Sequence, residues 1–176
     1  DISNVKKFYD MGGRYITLCH NGDNDLCDSA RGKGTHGGLS DFGREVIREM
    51  NRLGMMVDVS HAADSTIEQA IEFSNQPIIA THTSAKALCN HPRNMSDELI
   101  VKLAQSGGRI HVCLYNYFLA KNPNRFLGLW KKDLVLRSTT ESPFHLVQIS
   151  VSPRFPESVP HALRKGKLWK YPFYHS

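Results

Sequence analysis

His61 closes the run MVDVSH (residues 56–61) and His82 closes IIATH (residues 78–82), so two short apolar segments about twenty residues apart both end on an imidazole. His20 closes a third such run, RYITLCH (residues 14–20). Neutral imidazole is the commonest protein ligand for zinc-like ions, and a firm site needs at least three protein ligands. One histidine at the end of a strand is ordinary. Three on successive strands, all at the same end, point to a metal centre.

The remaining titratable residues invite plainer readings. His36 and His91 lie in loops beside Gly or Pro, and His111 sits inside an apolar run, where it is expected to donate to a neighbouring backbone carbonyl. His145, His161 and His175 have no framework around them. Asp23, Asp25 and Asp28 follow His20 in a Gly-rich loop and could supply carboxylate ligands, but a solvated polar loop is the expected reading for each. Asp58 lies three residues before His61, so a pleated strand directs the two side chains to opposite faces; it reads as a buried, hydrogen-bonded structural acid. Arg93, in the loop NHPRN (residues 90–94), is either a surface arginine or a fork for a substrate carboxylate.

The elements that must position these groups follow from periodicity. ISNVKKFYDMGG reads as a first helix with Val5, Phe8 and Tyr9 on one face and a glycine pair at its exit. SDFGREVIREMNRLG (residues 40–54) is an amphipathic helix with Ser40 as its N-cap, Phe42, Val46, Met50 and Leu53 on its apolar face, and Gly54 at its end. Residues 64–74 form a helix opened by a Ser65–Glu68 capping box, and SDELIVKLAQSGG (residues 96–108) is a helix capped by Ser96. Strands are expected at 14–20, 55–60, 77–82 and 109–114. Alternating strands and helices build a parallel sheet with right-handed crossovers, and chemistry collects at the C-terminal ends of its strands. His20, His61 and His82 all stand there.

Composition separates a body from a tail. Residues 1–122 carry 13 Lys/Arg against 14 Asp/Glu, whereas residues 123–176 carry 9 against 3 and hold six of the eight prolines. The net charge of +5 therefore belongs to the tail and is no argument for nucleic-acid binding by the body. The four cysteines show neither a CxxC pair nor zinc-ribbon spacing, and Cys19 and Cys113 read as buried free thiols. No apolar run approaches the roughly 20 residues needed to span a bilayer. Location stays open between cytoplasmic and exported.

The stretch GGLSDFGREVIREMNRLGMMVDVSHAADST, followed by IIATHTSAKALCNHPRNMSDE and preceded by GGRYITLCHN, closely resembles the membrane (renal) dipeptidase family of zinc metallopeptidases over residues 1–122. The resemblance implies an α/β fold, part of a (β/α)8 TIM-like barrel of the metal-dependent hydrolase type. It also implies a two-zinc centre that hydrolyses dipeptides. By that likeness His61 and His82 bind one zinc, His20 contacts substrate near the reacting carbonyl, and Arg93 receives the substrate carboxylate. His20 thereby moves from candidate ligand to a catalytic, substrate-binding role. The intact parent is expected to take a dipeptide as its partner and leaves room for a homodimer.

The departures are equally specific. The family's His-x-Asp pair and bridging glutamate would precede Asp1, and nothing in residues 123–176 resembles its downstream G-x-D-[FY]-D-G pattern. Residues 1–122 are thus expected to be a partial dipeptidase barrel, incomplete at both ends, and 123–176 an unassigned Pro-rich basic tail, an unrelated or out-of-frame continuation. Two imidazoles without a bridging carboxylate make a poor zinc site, so the chain alone is expected to be inactive. The competing readings are a barrel hydrolase acting on lactones or cyclic amides, and a non-catalytic remnant whose basic tail binds nucleic acid or an acidic membrane surface. The tail interleaves aromatic and basic residues only in RKGKLWKYPFY, which sets the second reading lower.

Overall fold

A computed structural model describes residues 1–120. The expectations for residues 123–176, including the tail and its three histidines, lie outside the described residues.

The chain runs α1 (Ser3–Asp10), β1 (Tyr15–Thr17), α2 (Asp41–Leu53), β2 (Met56–Asp58), α3 (Asp64–Phe73), β3 (Ile79–Thr83), α4 (Asp97–Gln105), β4 (Arg109–Val112) and a short α5 (Asn116–Leu119). All four strands are parallel and lie in sequence order, β1-β2-β3-β4. This is the arrangement of successive βα units in a (β/α)8-type barrel, as the sequence pattern requires. Tyr15, Ile16 and Thr17 pair with Met56, Val57 and Asp58, and Asp58 in turn pairs with Ile79. Between β3 and β4 the register slips between Ala80 and Thr83, which places one extra residue on β3 beside His82.

Pleating sends alternate residues to opposite faces. Leu18, Val57, Val59, Ile78 and Ala80 join Val46, Ile47, Met50, Ile67, Ala70, Leu99, Ile100 and Leu103 from the helices in one core. Thr17, Asp58 and Thr81 alternate with these residues and lie on the other face.

Local sequence explains most helix ends. Ser40 Oγ accepts from the Gly43 backbone N–H at 2.9 Å, and Gly54 closes α2 in the left-handed conformation at φ 74°. Ser96 Oγ accepts from Leu99 N at 3.3 Å, with Asp97 and Glu98 in the first turn of α4. Two expectations fail. The cap of α3 is Ala63, which makes no side-chain cap bond, and the Ser65–Glu68 box does not form. The preceding loop sets this helix start instead: the Asp28 carbonyl accepts from Ala63 N at 3.0 Å and from the Thr66 hydroxyl at 2.9 Å. On α1, Val5 and Tyr9, four residues apart, face the core, whereas Phe8 lies off that line and is 54% exposed.

The loop from Asn21 to Leu39 is built around two carboxylates, contrary to the solvated reading. Asp23 accepts from the backbone N–H groups of Ser29, Lys33, Gly34 and Thr35 and from the Thr35 hydroxyl, at 2.8–3.2 Å. Asp28 is buried and accepts from His36 N at 2.9 Å and Gly38 N at 2.8 Å. Only Asp25 is exposed.

Candidate metal and substrate site

The C-terminal ends of β1, β2 and β3 bring three imidazoles together. His61 Nε2 lies 2.8 Å from His82 Nε2, with the rings edge-on at a centroid distance of 4.9 Å. The His20 ring stacks on His61 at 4.1 Å, inclined by 25°. His20 is exposed, His61 buried and His82 half-buried, so the cluster opens to solvent on the His20 side.

His61 reaches this position at a backbone cost. Its φ is 73°, the single positive value among the described non-glycine residues. A branched or bulky residue in that region is strained by about 1–2 kcal/mol. β2 stops at Asp58, so its pleat does not extend to His61; the turn after Ser60 aims that ring.

Asp58 lies beneath the cluster, fully buried. Its Oδ1 accepts from the backbone N–H groups of Ser60 (2.9 Å) and Thr81 (3.0 Å), and its Oδ2 from the hydroxyls of Thr17 (2.7 Å) and Thr81 (2.6 Å). Burial alone would raise its pKa. The hydrogen bonds, that of the Thr81 hydroxyl foremost, outweigh burial and hold the carboxyl below its ordinary range. The structural-acid reading of Asp58 therefore holds. Thr81 Oγ1 is also 2.9 Å from His82 Nδ1, and Ser60 Oγ accepts from His82 N at 3.0 Å. Sequence reasoning missed these hydroxyl partners, although a hydroxyl residue immediately precedes the histidine in both DVSH and IATH.

Arg93 is buried and makes no ion pair among the described residues. Its Nη2 donates to the His82 carbonyl at 3.5 Å, and its guanidinium carbon stands 5.5 Å from the centre of the Phe118 ring. Burial lowers its pKa from the usual arginine value. The charge bears on both imidazoles in turn. Burial first, then Arg93, pushes His61 down to about 3 and lowers His82 as well. Both rings are thus neutral at ordinary pH, the form that binds metals.

The other histidines behave differently. His36 Nε2 pairs with the Asn24 carbonyl at 2.8 Å, and His91 Nδ1 accepts from Arg93 N at 3.1 Å. Half-buried His111 has no ring hydrogen bond among the described residues, so the expected donation to a carbonyl is not found. All four cysteines are free; Cys19 is buried as expected and Cys113 partly so.

The pair His61 and His82 offers two of the ligands that a metal site needs. Their Nε2 atoms converge and their rings are held neutral, although His61 Nδ1, buried without a partner among the described residues, would not be satisfied by a metal on Nε2. Two ligands on one tetrahedral zinc, each at about 2.05 Å, would be about 3.3 Å apart, a modest opening from the distance seen. Among the described residues, however, no group of three or more His, Cys, Asp or Glu side chains converges to complete a site.

Residues 1–145 match the family described as membrane dipeptidase, peptidase family M19. The chain belongs to that family. The matched stretch runs past the composition break at Asn122. Over 151 residues the chain is 38% identical to an uncharacterized dipeptidase of Schizosaccharomyces pombe, an alignment that takes in 85% of this chain and 35% of that protein. Among solved structures it is similar to an amidohydrolase from Pseudomonas aeruginosa, with a TM-score of 0.73 and 28% identity over 93% of this chain and 49% of that one. A dipeptidase described as a metallo peptidase of family M19 shares the fold, with a TM-score of 0.68 and 22% identity over 76% of this chain and 41% of that one. The M19 chain described here thus spans about a third of the length of its S. pombe relative, and its family is one of metal-dependent peptidases.

Proposed function

We propose that this M19 chain carries the substrate-facing part of a zinc-dependent dipeptidase centre, and that the parent protein hydrolyses dipeptides. His61 and His82 would hold one zinc through their Nε2 atoms. The observation that carries this reading is the 2.8 Å approach of those two nitrogens at the ends of adjacent parallel strands. Zinc bound there supplies Lewis acidity for amide hydrolysis. The other side chains bind and orient. Arg93 is a buried cation with no acidic partner among the described residues, and a substrate carboxylate would relieve that cost through paired N–H donors. His20, exposed and stacked on His61, would offer an imidazole N–H to the oxygen of the reacting carbonyl and stabilise the charge it gains.

The second zinc of the intact centre, its remaining ligands and a homodimeric parent belong to the same proposal and rest on family membership. Residues 1–122 remain the proposed barrel portion, with 123–176 a separate unassigned segment. No helix among the described residues is long and apolar enough to cross a membrane.

The likeness to an amidohydrolase keeps a second substrate class, lactones or cyclic amides, in the test. The parent protein is assayed on free dipeptides and on lactones, with and without chelator. Chelator-sensitive dipeptide hydrolysis, abolished by His82→Ala, is expected. Lactone turnover without dipeptide turnover, or hydrolysis indifferent to chelation, would overturn the reading.

A further inference from the structure

Asp58 ties together three adjacent strands: Thr17 of β1 and Thr81 of β3 both donate their hydroxyl protons to its Oδ2, at 2.7 and 2.6 Å. Its Oδ1 is filled by two backbone N–H groups, those of Ser60 and Thr81. A carboxylate with four donors has no lone-pair site left. A hydroxyl has one proton, and that of Thr81 is committed to Asp58. Thr81 Oγ1 can therefore only accept from its other neighbours, His82 Nδ1 at 2.9 Å and Ser60 Oγ at 3.2 Å. Ser60 Oγ is itself occupied as an acceptor by His82 N at 3.0 Å, so its own proton is free to point at Thr81. One proton arrangement satisfies Asp58, Thr17, Thr81, Ser60 and the His82 ring; in it His82 carries its proton on Nδ1, and its Nε2 accepts from His61 Nε2–H at 2.8 Å.

We propose that Asp58 is a positioning residue that acts through the Thr81 hydroxyl to hold His82 in its Nδ1–H tautomer, so that its Nε2 is an unprotonated acceptor that a metal ion can take over from the His61 N–H. The inference rests on the reading of His82 as a metal ligand. It adds what that reading lacks, a reason for the correct nitrogen to be unprotonated before metal arrives. Outer partners that fix a ligand's tautomer in this way typically change metal affinity by about 10–100-fold.

Asp58→Asn makes the device testable because it preserves shape and reverses one polarity. The two backbone N–H groups require an acceptor, so the amide oxygen must take the Oδ1 place and the NH2 group must face the two threonine hydroxyls. Thr81 then receives a proton where it used to donate one. Its own proton is released toward His82 Nδ1, and the ring shifts to its Nε2–H form. Thr81→Val removes the link altogether, and Thr81→Ser restores it.

The experiment is long-range 1H–15N correlation of the metal-free chain with its histidine rings labelled, alongside calorimetric titration with zinc alone. Expected are an Nδ1–H His82 in the wild-type chain and Thr81→Ser, an Nε2–H ring in Asp58→Asn, and loss of tautomer preference in Thr81→Val. Zinc affinity should fall about 10–100-fold in Asp58→Asn and Thr81→Val and recover in Thr81→Ser. An Nδ1–H His82 persisting in folded Asp58→Asn would overturn the proposal, and so would an Nε2–H ring in the wild-type chain. If Asp58→Asn does not fold, the contrast of Thr81→Val with Thr81→Ser decides alone. The tautomer is read without metal, so a wild-type chain that shows the Nδ1–H form but takes up no zinc would count against the zinc centre and not against the relay.

Discussion

The Nε2 atoms of His61 and His82 lie 2.8 Å apart, at the ends of neighbouring parallel strands and 21 residues apart in sequence. The nitrogens approach because a left-handed turn after Ser60 swings one ring inward while an extra residue in β3 re-aims the other. Neither ring charges readily, because burial and the Arg93 guanidinium both oppose it. Removing either ligand should therefore be decisive. In calorimetric titrations of the chain near pH 7, His61→Ala and His82→Ala should each weaken zinc binding by more than the roughly 10–100-fold typical of losing an outer-shell partner. Wild-type affinity retained in both variants would place the metal elsewhere.

Arg93 should discriminate by substrate charge. In the parent protein, Arg93→Met is expected to lower kcat/KM for free dipeptides by about 10–150-fold, the equivalent of the roughly 1.5–3 kcal/mol of a hydrogen bond to a charged group. Dipeptides amidated at the C-terminus should be poor substrates for the wild type and hardly poorer for the variant. Steady-state kinetics on the matched pair checks this; a uniform loss on both substrates would assign Arg93 to folding instead.

The Asp23 loop should fail in acid. Its carboxylate is held well below the usual aspartate range, first by the Ser29 N–H, then by Thr35 and the other loop donors. A folded pKa below the unfolded value of about 3.9 gives stability that is fully present above that pH and is lost as pH falls through the folded value. Asp23→Asn should lower the melting temperature at pH 7 and flatten the decline below about pH 4. An acid limb unchanged in Asp23→Asn would show that other carboxylates set it.

Gly43→Ala tests packing against propensity. In an exposed helix the change stabilises by about 1 kcal/mol. Here a Cβ on Gly43 would lie 2.0 Å from the Leu26 carbonyl oxygen, a backbone atom that no rotamer change can move. The variant should melt at a lower temperature than wild type, and a higher one would mean that the loop rests on α2 more loosely.

What the sequence discloses and what it hides divide along one physical line. The strand-end positions of His20, His61 and His82 follow from periodicity within each segment, so they could be read directly. The Asp58–Thr81–His82 chain depends on how β2 pairs with β3 across a sequence separation of 23, and that register is a tertiary quantity. The loop carboxylates were misread for a related reason. Asp23 and Asp28 look like solvated acids until the chain folds back and supplies backbone donors from residues up to 12 positions away. The start of α3 is set by that same loop, so a locally plausible capping box was overridden by Asp28.

The most direct measurement of the central claim, that His61 and His82 jointly hold one zinc, is ring 15N spectroscopy of the chain as one equivalent of zinc is added. The Nε2 resonances of His61 and His82 should move together to metal-bound positions, with those of His36, His91 and His111 unmoved. Movement of only one of the pair, or of a loop histidine in its place, would contradict the account.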